Sequence, residues 1–325
     1  MAERKNYLYG PVPSRRLGRS LGVDIVPFKV CSLDCVYCQL GRTLEKTVER
    51  GDYVPIESVL AELKQALAER IEVDYISIAG SGEPTLHARL GELIDGIKQV
   101  TDIPVAIITN GTLFYRPDVR TDCAKADVVM PSLDAADEET FRQINCPCPG
   151  INVEKVISGL RAFREEFAGQ IWLEVFFVEG VNTGRDQIAR IREAIERIRP
   201  DKVQLNTAVR PTADPSVRRV DAETLHRIAG LLGSRCEVVA DPSPAHHQAL
   251  IDKEPQSAPG TTAATTSTAQ SLLSMLKRRP CSLNDIRASL GLSRNEALKH
   301  ISDLQSRGLI QSEKRGASTY YKASP

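Results

Sequence analysis

The sequence predicts an α/β fold built on parallel strands, followed by a small helical module that ends in a hairpin. Three observations predict it. Short β-branched runs alternate with longer stretches of helical periodicity over the first two thirds of the chain. Residues 254–270, dominated by Pro, Gly, Thr, Ser and Ala, then break the pattern with almost no side chain large enough to build a core. Beyond that break the signals change to closely spaced capped helices and a basic hairpin.

The strand candidates are L-G-V-D-I-V (21–26), V-D-Y-I-S-I-A (73–79), V-A-I-I-T (105–109), A-D-V-V-M-P-S (126–132), W-L-E-V-F-F-V (172–178) and K-V-Q-L-N (202–206). Amphipathic stretches lie between them, such as 56–70 and 153–167, with apolar residues at helical spacing. Six such units fall short of the eight of a full barrel, so spacing alone leaves a barrel-like and a doubly wound sheet both open. After the break, a helix is expected from about 270 to 278, and S-L-N-D-I-R-A-S-L-G-L (282–292) ends in Gly291, placed for a tight interhelical turn. Ser293 and Glu296 form an S-x-x-E capping box, and Ala297, His300, Ile301 and Leu304 follow at helical spacing. Two strand-like runs around Lys314, Arg315 and Gly316 complete the layout of a winged helix. The expected division is 1–253, a linker at 254–270, and a winged helix-turn-helix module at 271–325.

At 42% hydrophobic and 26% charged residues, the composition is that of an ordinary globular protein. No stretch approaches 18 apolar residues and the N-terminus lacks an apolar signal core, so no membrane span is expected and the cytoplasm is the expected compartment. There, eight cysteines point to thiols or metal ligands rather than disulfides. The net charge of zero hides an asymmetry. Residues 270–325 carry ten Lys/Arg and four Asp/Glu, a net of +6, while the remainder, 32 basic and 38 acidic, carries −6.

Three of the cysteines crowd into C-S-L-D-C-V-Y-C, at Cys31, Cys35 and Cys38, with no fourth nearby. Three thiolates can hold three corners of a 4Fe–4S cluster and leave one iron open. The competing reading is a structural zinc site completed by a distant cysteine or histidine. The flanking residues favour the first. C-x3-C-x2-C with an aromatic residue, Tyr37, before the last cysteine resembles the hallmark of the radical S-adenosylmethionine (SAM) superfamily. The lead-in Y-G-P-V-P-S-R-R-L-G-R-S-L-G-V (9–23) is similar to that of the uncharacterised iron–sulfur oxidoreductases related to wybutosine-synthesising tRNA enzymes and to molybdopterin-type cyclases. The resemblance covers most of residues 1–211 and implies a partial (β/α)6 TIM-like barrel. It further implies a 4Fe–4S cluster on the three cysteines, SAM chelated at the open iron, and an external electron donor of flavodoxin or ferredoxin type. The implied chemistry is reductive cleavage of SAM to methionine and a 5′-deoxyadenosyl radical.

The same resemblance nominates the rest of the cofactor site. G-S-G-E-P-T-L-H (80–87) follows a strand and is similar to a G-G-E-P motif, with Ser81 for the second glycine and Gly82 before Glu83. Tyr37 is expected to pack beside the cofactor, and Gly80, Ser81, Gly82 and Glu83 are expected at the SAM methionyl group, with Glu83 either touching ligand or bracing the loop. Asn110 is a cofactor or turn residue. Ser132 and Asp134 are expected at the ribose and carboxylate, with a helix N-cap the competing role for Asp134. Asn206 and Arg210 end the sixth strand, and Arg210 suits a substrate phosphate or carboxylate as well as a salt bridge. Glu174, mid-strand, would need a partner inside a barrel. Cys146 and Cys148 have no matching pair and, like Cys123, Cys236 and Cys281, read as plain thiols. His246 and His247 read as incidental.

The function expected is that of a radical SAM enzyme acting on an unknown substrate, with RNA, peptide and protein all open. The alternative is an iron–sulfur redox sensor that regulates a nucleic-acid-binding module. Arg294, Lys299, Lys314 and Arg315 would face phosphates, and Tyr320 and Tyr321 would stack on bases or pack inside the wing.

Overall fold

The computed structural model describes residues 7–69, 71–240, 264–315 and 318–324. The first part runs β1 (Leu8–Ser14), β2 (Gly18–Val23), β3 (Val30–Cys31), β4 (Glu45–Lys46), α1 (Ile56–Ala68), β5 (Tyr75–Ile78), α2 (Leu90–Val100), β6 (Val105–Ile108), α3 (Pro117–Cys123) and β7 (Val128–Met130). It continues through α4 (Glu138–Asn145), α5 (Val153–Glu166), β8 (Gln170–Phe177), α6 (Arg185–Ile198), β9 (Lys202–Thr207), α7 (Ala222–Leu232) and β10 (Cys236–Val238). One sheet takes the order β1-β2-β5-β6-β7-β8-β9-β10, with every neighbour from β2 to β10 parallel and β1 antiparallel at the edge.

All six expected strands are present, and the sheet is a partial barrel. Leu17, Ala106, Val128, Met130 and Trp172 meet in one cluster although they come from separate strands and a turn, as side chains inside a barrel do. The helices cover the other face, where Ile76, Ile107, Val129 and Leu173 join Leu63, Ile94 and Leu160 in the main core. Burial of this kind, at roughly 25 cal/mol per Å² of apolar surface, is the main stabilising term. Two strands of this sheet were not expected, nor was the short separate pair β3–β4. β10 is only three residues long. β1 contains Pro11 and Pro13, which lack donors and argue against a strand except at a sheet edge, where β1 lies.

The C-terminal part comprises α8 (Ala264–Arg278), β11 (Cys281–Ser282), α9 (Leu283–Leu290), α10 (Arg294–Ser306), β12 (Ile310–Arg315) and β13 (Ser318–Ala323), with antiparallel sheet order β11-β13-β12. Gly291 closes α9 in the left-handed conformation at φ 63°, and the Ser293–Glu296 capping box is formed. α8 starts inside the stretch expected to be linker: its small Ala, Thr and Ser residues disfavour a core yet permit a helix. Residues 254–263 of that linker lie outside the described residues, as do His246, His247 and Gly316.

This module is not a free appendage. Leu272, Met275, Leu276, Ile286, Ala297, Ile301 and Leu304 form a core that also takes in Val12 of β1. Arg278 reaches Asp24 at 2.9 Å and lies over the Tyr9 ring. Tyr320 donates its hydroxyl to Val209 O at 2.9 Å, and Arg315 donates to Thr212 Oγ1 and Val217 O, both at 3.0 Å. Arg315 and Tyr320, expected to face nucleic acid, are thus fastened to the barrel. The reason is that β12 and β13 pack beside the loop after β9, whose backbone carbonyls need donors. Arg294, Lys299 and Lys314 remain exposed.

Truncating Met275, 2% exposed in the shared core, to alanine is expected to cost about 2–5 kcal/mol in urea unfolding. A loss below about 0.5 kcal/mol would show that the module core is not packed as described.

Candidate functional site

The expected site residues leave the sheet at the C-terminal ends of parallel strands. The cysteine loop follows β2, residues 80–83 follow β5, Asn110 follows β6, and Ser132 and Asp134 follow β7. This is the end at which α/β barrels place their chemistry.

Cys31, Cys35 and Cys38 are half-buried free thiols. Each sulfur faces one side-chain nitrogen. Asn110 Nδ2 lies 3.5 Å from Cys31 Sγ, Asn145 Nδ2 3.5 Å from Cys35 Sγ, and Lys29 Nζ 3.1 Å from Cys38 Sγ. Burial pushes the Cys31 thiol up to about 12 and the Cys35 thiol well above its usual value. Burial thus disfavours a thiolate at Cys31 and at Cys35, which a bound metal charge would favour. Among the described residues, no three His, Cys, Asp or Glu side chains converge closely enough to hold a single ion.

Lys29 is 3% exposed and sits at φ 60°, a left-handed conformation costly for a lysine. Its neighbours over-determine it: its N–H donates to Ser81 O at 2.7 Å, and its carbonyl accepts from Leu44 and Glu45 N–H. The end of α4 and the residues after it back the loop through Asp34 N to Asn145 O, Val36 N to Ile144 O and Cys148 N to Ser32 O. Cys146 and Cys148 belong to that backing, which also supplies Asn145.

Residues 80–83 are shaped by packing. A Cβ on Gly80 would lie 2.3 Å from Asp24 Oδ1, and one on Gly82 would lie 2.4 Å from Val30 O, so only glycine admits the cysteine loop here. Asp24 accepts from Ser81 N and Oγ at 3.1 and 2.7 Å. Glu83 braces. Its buried carboxylate accepts from Thr85 N and Oγ1, Thr109 Oγ1 and Asn110 N at 2.5–3.0 Å. Burial raises its pKa, against the pull of these donors. Asn110 Oδ1 in turn accepts from Thr112, so its Nδ2 is left pointing at Ser32 Oγ and Cys31.

Asp134 is 2% exposed and internally occupied: Phe176 N, Tyr37 Oη and Asn145 Nδ2 donate to it at 2.9, 2.5 and 2.6 Å. Burial pushes its pKa up to about 6. It caps no helix. Asp137 caps α4, so the N-cap role considered for Asp134 belongs three residues later. Tyr37 stacks on Phe176, with centroids 3.8 Å apart and planes at 11°. Ser132 is half-buried and pairs its backbone with Glu174. Glu174 has the partners its position demands, an ion pair with Arg16 and a 3.2 Å contact from Asn206 Nδ2. Sequence reasoning missed Lys29, Asn145 and Asp24. The first is visible as a lone cation two residues before Cys31, whereas the other two act across the chain and leave no local signal.

The sequence profile of the radical SAM superfamily matches residues 25–191, a little over half of the chain. The chain belongs to the radical SAM superfamily. The enzymes of that superfamily use a 4Fe–4S cluster and SAM. Among relatives, a Brachyspira hyodysenteriae protein named GTPase Obg is 42% identical over 234 residues, covering 72% of this chain and 34% of that protein. The chain therefore spans about a third of that relative's length. A UPF0026 protein of Helicobacter pylori strain J99 is 31% identical over 320 residues, covering 97% of each. In fold, the chain resembles Streptococcus suis SuiB in its SAM-bound crystal structure, at TM-score 0.52 and 17% identity over 70% of this chain and 51% of that one.

Glu83→Gln would turn one acceptor into a donor among four donors, costing about 1–3 kcal/mol of stability. In chemical denaturation the midpoint should fall accordingly, and an unchanged midpoint would contradict the bracing role.

Proposed function

We propose that this chain is a radical SAM enzyme, with Cys31, Cys35 and Cys38 holding a 4Fe–4S cluster and SAM bound at its open iron. The observation that carries the reading is the nitrogen donor aimed at each of the three sulfurs. Thiolates of an anionic cluster call for such donors, whereas plain buried thiols do not. When bound, the cluster and SAM supply a one-electron cleavage that yields methionine and a 5′-deoxyadenosyl radical for abstracting hydrogen from a substrate. The protein's own part is positioning. Glu83 and Asp134 hold Asn110, Asn145 and Tyr37 in place rather than touching SAM. The backbone of Gly80, Ser81 and Gly82, together with Ser132, would hold the methionyl and ribose groups.

Lys29 places a buried ammonium beside Cys38 and so favours the more negative, reduced state. Phe28 and Leu44, 48% and 75% exposed, flank Lys29 on the surface and present an apolar landing for a flavodoxin- or ferredoxin-type donor. A nucleic-acid or peptide partner of the C-terminal module would meet Arg294, Lys299 and Lys314, since Arg315 and Tyr320 are engaged elsewhere. The redox-sensor alternative leaves the occupied loops after β5, β6 and β7 without a purpose.

Reconstituted protein given dithionite and SAM should release 5′-deoxyadenosine. Alanine at Cys31, Cys35 or Cys38 should remove both the cluster absorbance and this product, while Cys123→Ala, in the core, should keep both. An intact cluster that yields no 5′-deoxyadenosine would sink the enzyme reading. Lys29→Met should shift the cluster midpoint to a more negative potential in an EPR-monitored titration; an unchanged midpoint would remove Lys29 from this role.

A further inference from the structure

Where the barrel meets the C-terminal module, guanidinium groups outnumber the carboxylates that face them. Arg16 is paired with Glu174 and Arg278 with Asp24, which closes both pairs. Three others act on the single carboxylate of Asp285: Arg210 reaches it directly, Arg279 and Arg15 act on it through their charge, and Arg15 also donates Nη1 to Val239 O at 2.7 Å. That carboxylate is already in use: Oδ2 accepts from Ser282 N and Oγ, both at 2.9 Å, in the cap of α9. Its Oδ1 takes Arg210 Nη2 only at 3.4 Å, near the outer limit of a hydrogen bond. Burial raises the Asp285 pKa, but Arg210 and Arg279, together with the two Ser282 donors, more than offset it and hold it below the usual range. Arg15 is pushed down to about 10 by burial and by the guanidiniums of Arg210 and Arg16.

Arg279 shows the imbalance most directly. Its Nε and Nη2 are buried and donate to nothing among the described residues. A buried guanidinium with idle N–H groups is expensive unless an anion completes it. Three positive charges against one negative leave +2, the charge that a phosphate monoester nearly matches at neutral pH. Its oxygens also suit the planar fork of arginine. The three arginines come from separate segments: the β1–β2 turn, the loop after β9 and the link from α8 to β11.

We propose that this seam binds the phosphate monoester of a small-molecule substrate, held by Arg15, Arg210 and Arg279. That the bound molecule is the substrate rests on the radical SAM reading; the anion site itself does not. The Glu174 charge is felt both by Arg15 and by the Tyr37–Asp134 pair, which places the seam within electrostatic reach of the cysteine loop. The burial of Arg279 disfavours a polynucleotide backbone, which is bulky and carries one charge per phosphate.

The test is thermal melting of the cluster-reconstituted full chain against inorganic phosphate at constant ionic strength. Acetate and an oligoribonucleotide lacking a terminal phosphate serve as the other arms. The expected result is a saturable rise in Tm with phosphate that neither other arm reproduces. Arg279→Met should weaken the phosphate response at least tenfold. Arg210→Gln should weaken it as well, while Lys277→Gln, exposed on α8, should not. The site is overturned by the absence of a saturable phosphate response, by an undiminished response in both arginine variants, or by equal stabilisation from the oligoribonucleotide. If phosphate binds as expected but the same preparation forms no 5′-deoxyadenosine, the substrate assignment falls and the anion site stands.

Discussion

Four donors from two successive strand-end loops close on one buried carboxylate, that of Glu83, and the geometry of the site depends on this closure. Thr85 belongs to the loop after β5, and Thr109 and Asn110 to the end of β6, so the carboxylate ties two neighbouring units at the rim. Because Asn110 donates its backbone N–H here and accepts from Thr112 with its side-chain oxygen, its amide nitrogen can only face the cysteine loop. Asp134 repeats the arrangement one strand further on, taking Tyr37, Asn145 and the Phe176 backbone. Two buried acids thus orient two amides, and these amides meet two of the three sulfurs.

Much of this was legible in the sequence, and the division has a physical basis. The six parallel strands announced themselves because a strand buried on both faces must be apolar and β-branched over most of its length. Cys31, Cys35 and Cys38 were visible because they crowd into one loop within eight positions of the sequence. β1 was hidden by Pro11 and Pro13, which signal a break in every context but a sheet edge. Asn145 and Asp24 were hidden because they act over long sequence separations, and an asparagine beside N-C-P-C looks like a turn. Asp134 was visible as a polar residue at a strand end, yet its partners, and hence its role as a brace, come from other segments.

The C-terminal module shows a different limit. Its helices, its caps and its αL glycine were all readable, since each rests on local chemistry. What it packs against was not. Arg315 and Tyr320 have the composition of a nucleic-acid surface, and in the structure they satisfy carbonyls of the loop after β9. A positive net charge describes a segment's composition and not the direction its side chains face. In this module part of that charge is turned inward, against the barrel.

The place of Val12 carries a consequence for how the molecule is made. This residue lies on the first strand, yet the core that covers it is assembled from α8, α9 and α10 near the end of the chain. During synthesis the barrel can collapse around its parallel strands while the outer face of β1 waits for the last helices to emerge. Contacts of such long sequence separation form late. The cysteine loop and its amide donors all come from residues 29–145, so none of them depends on the contacts that cover Val12.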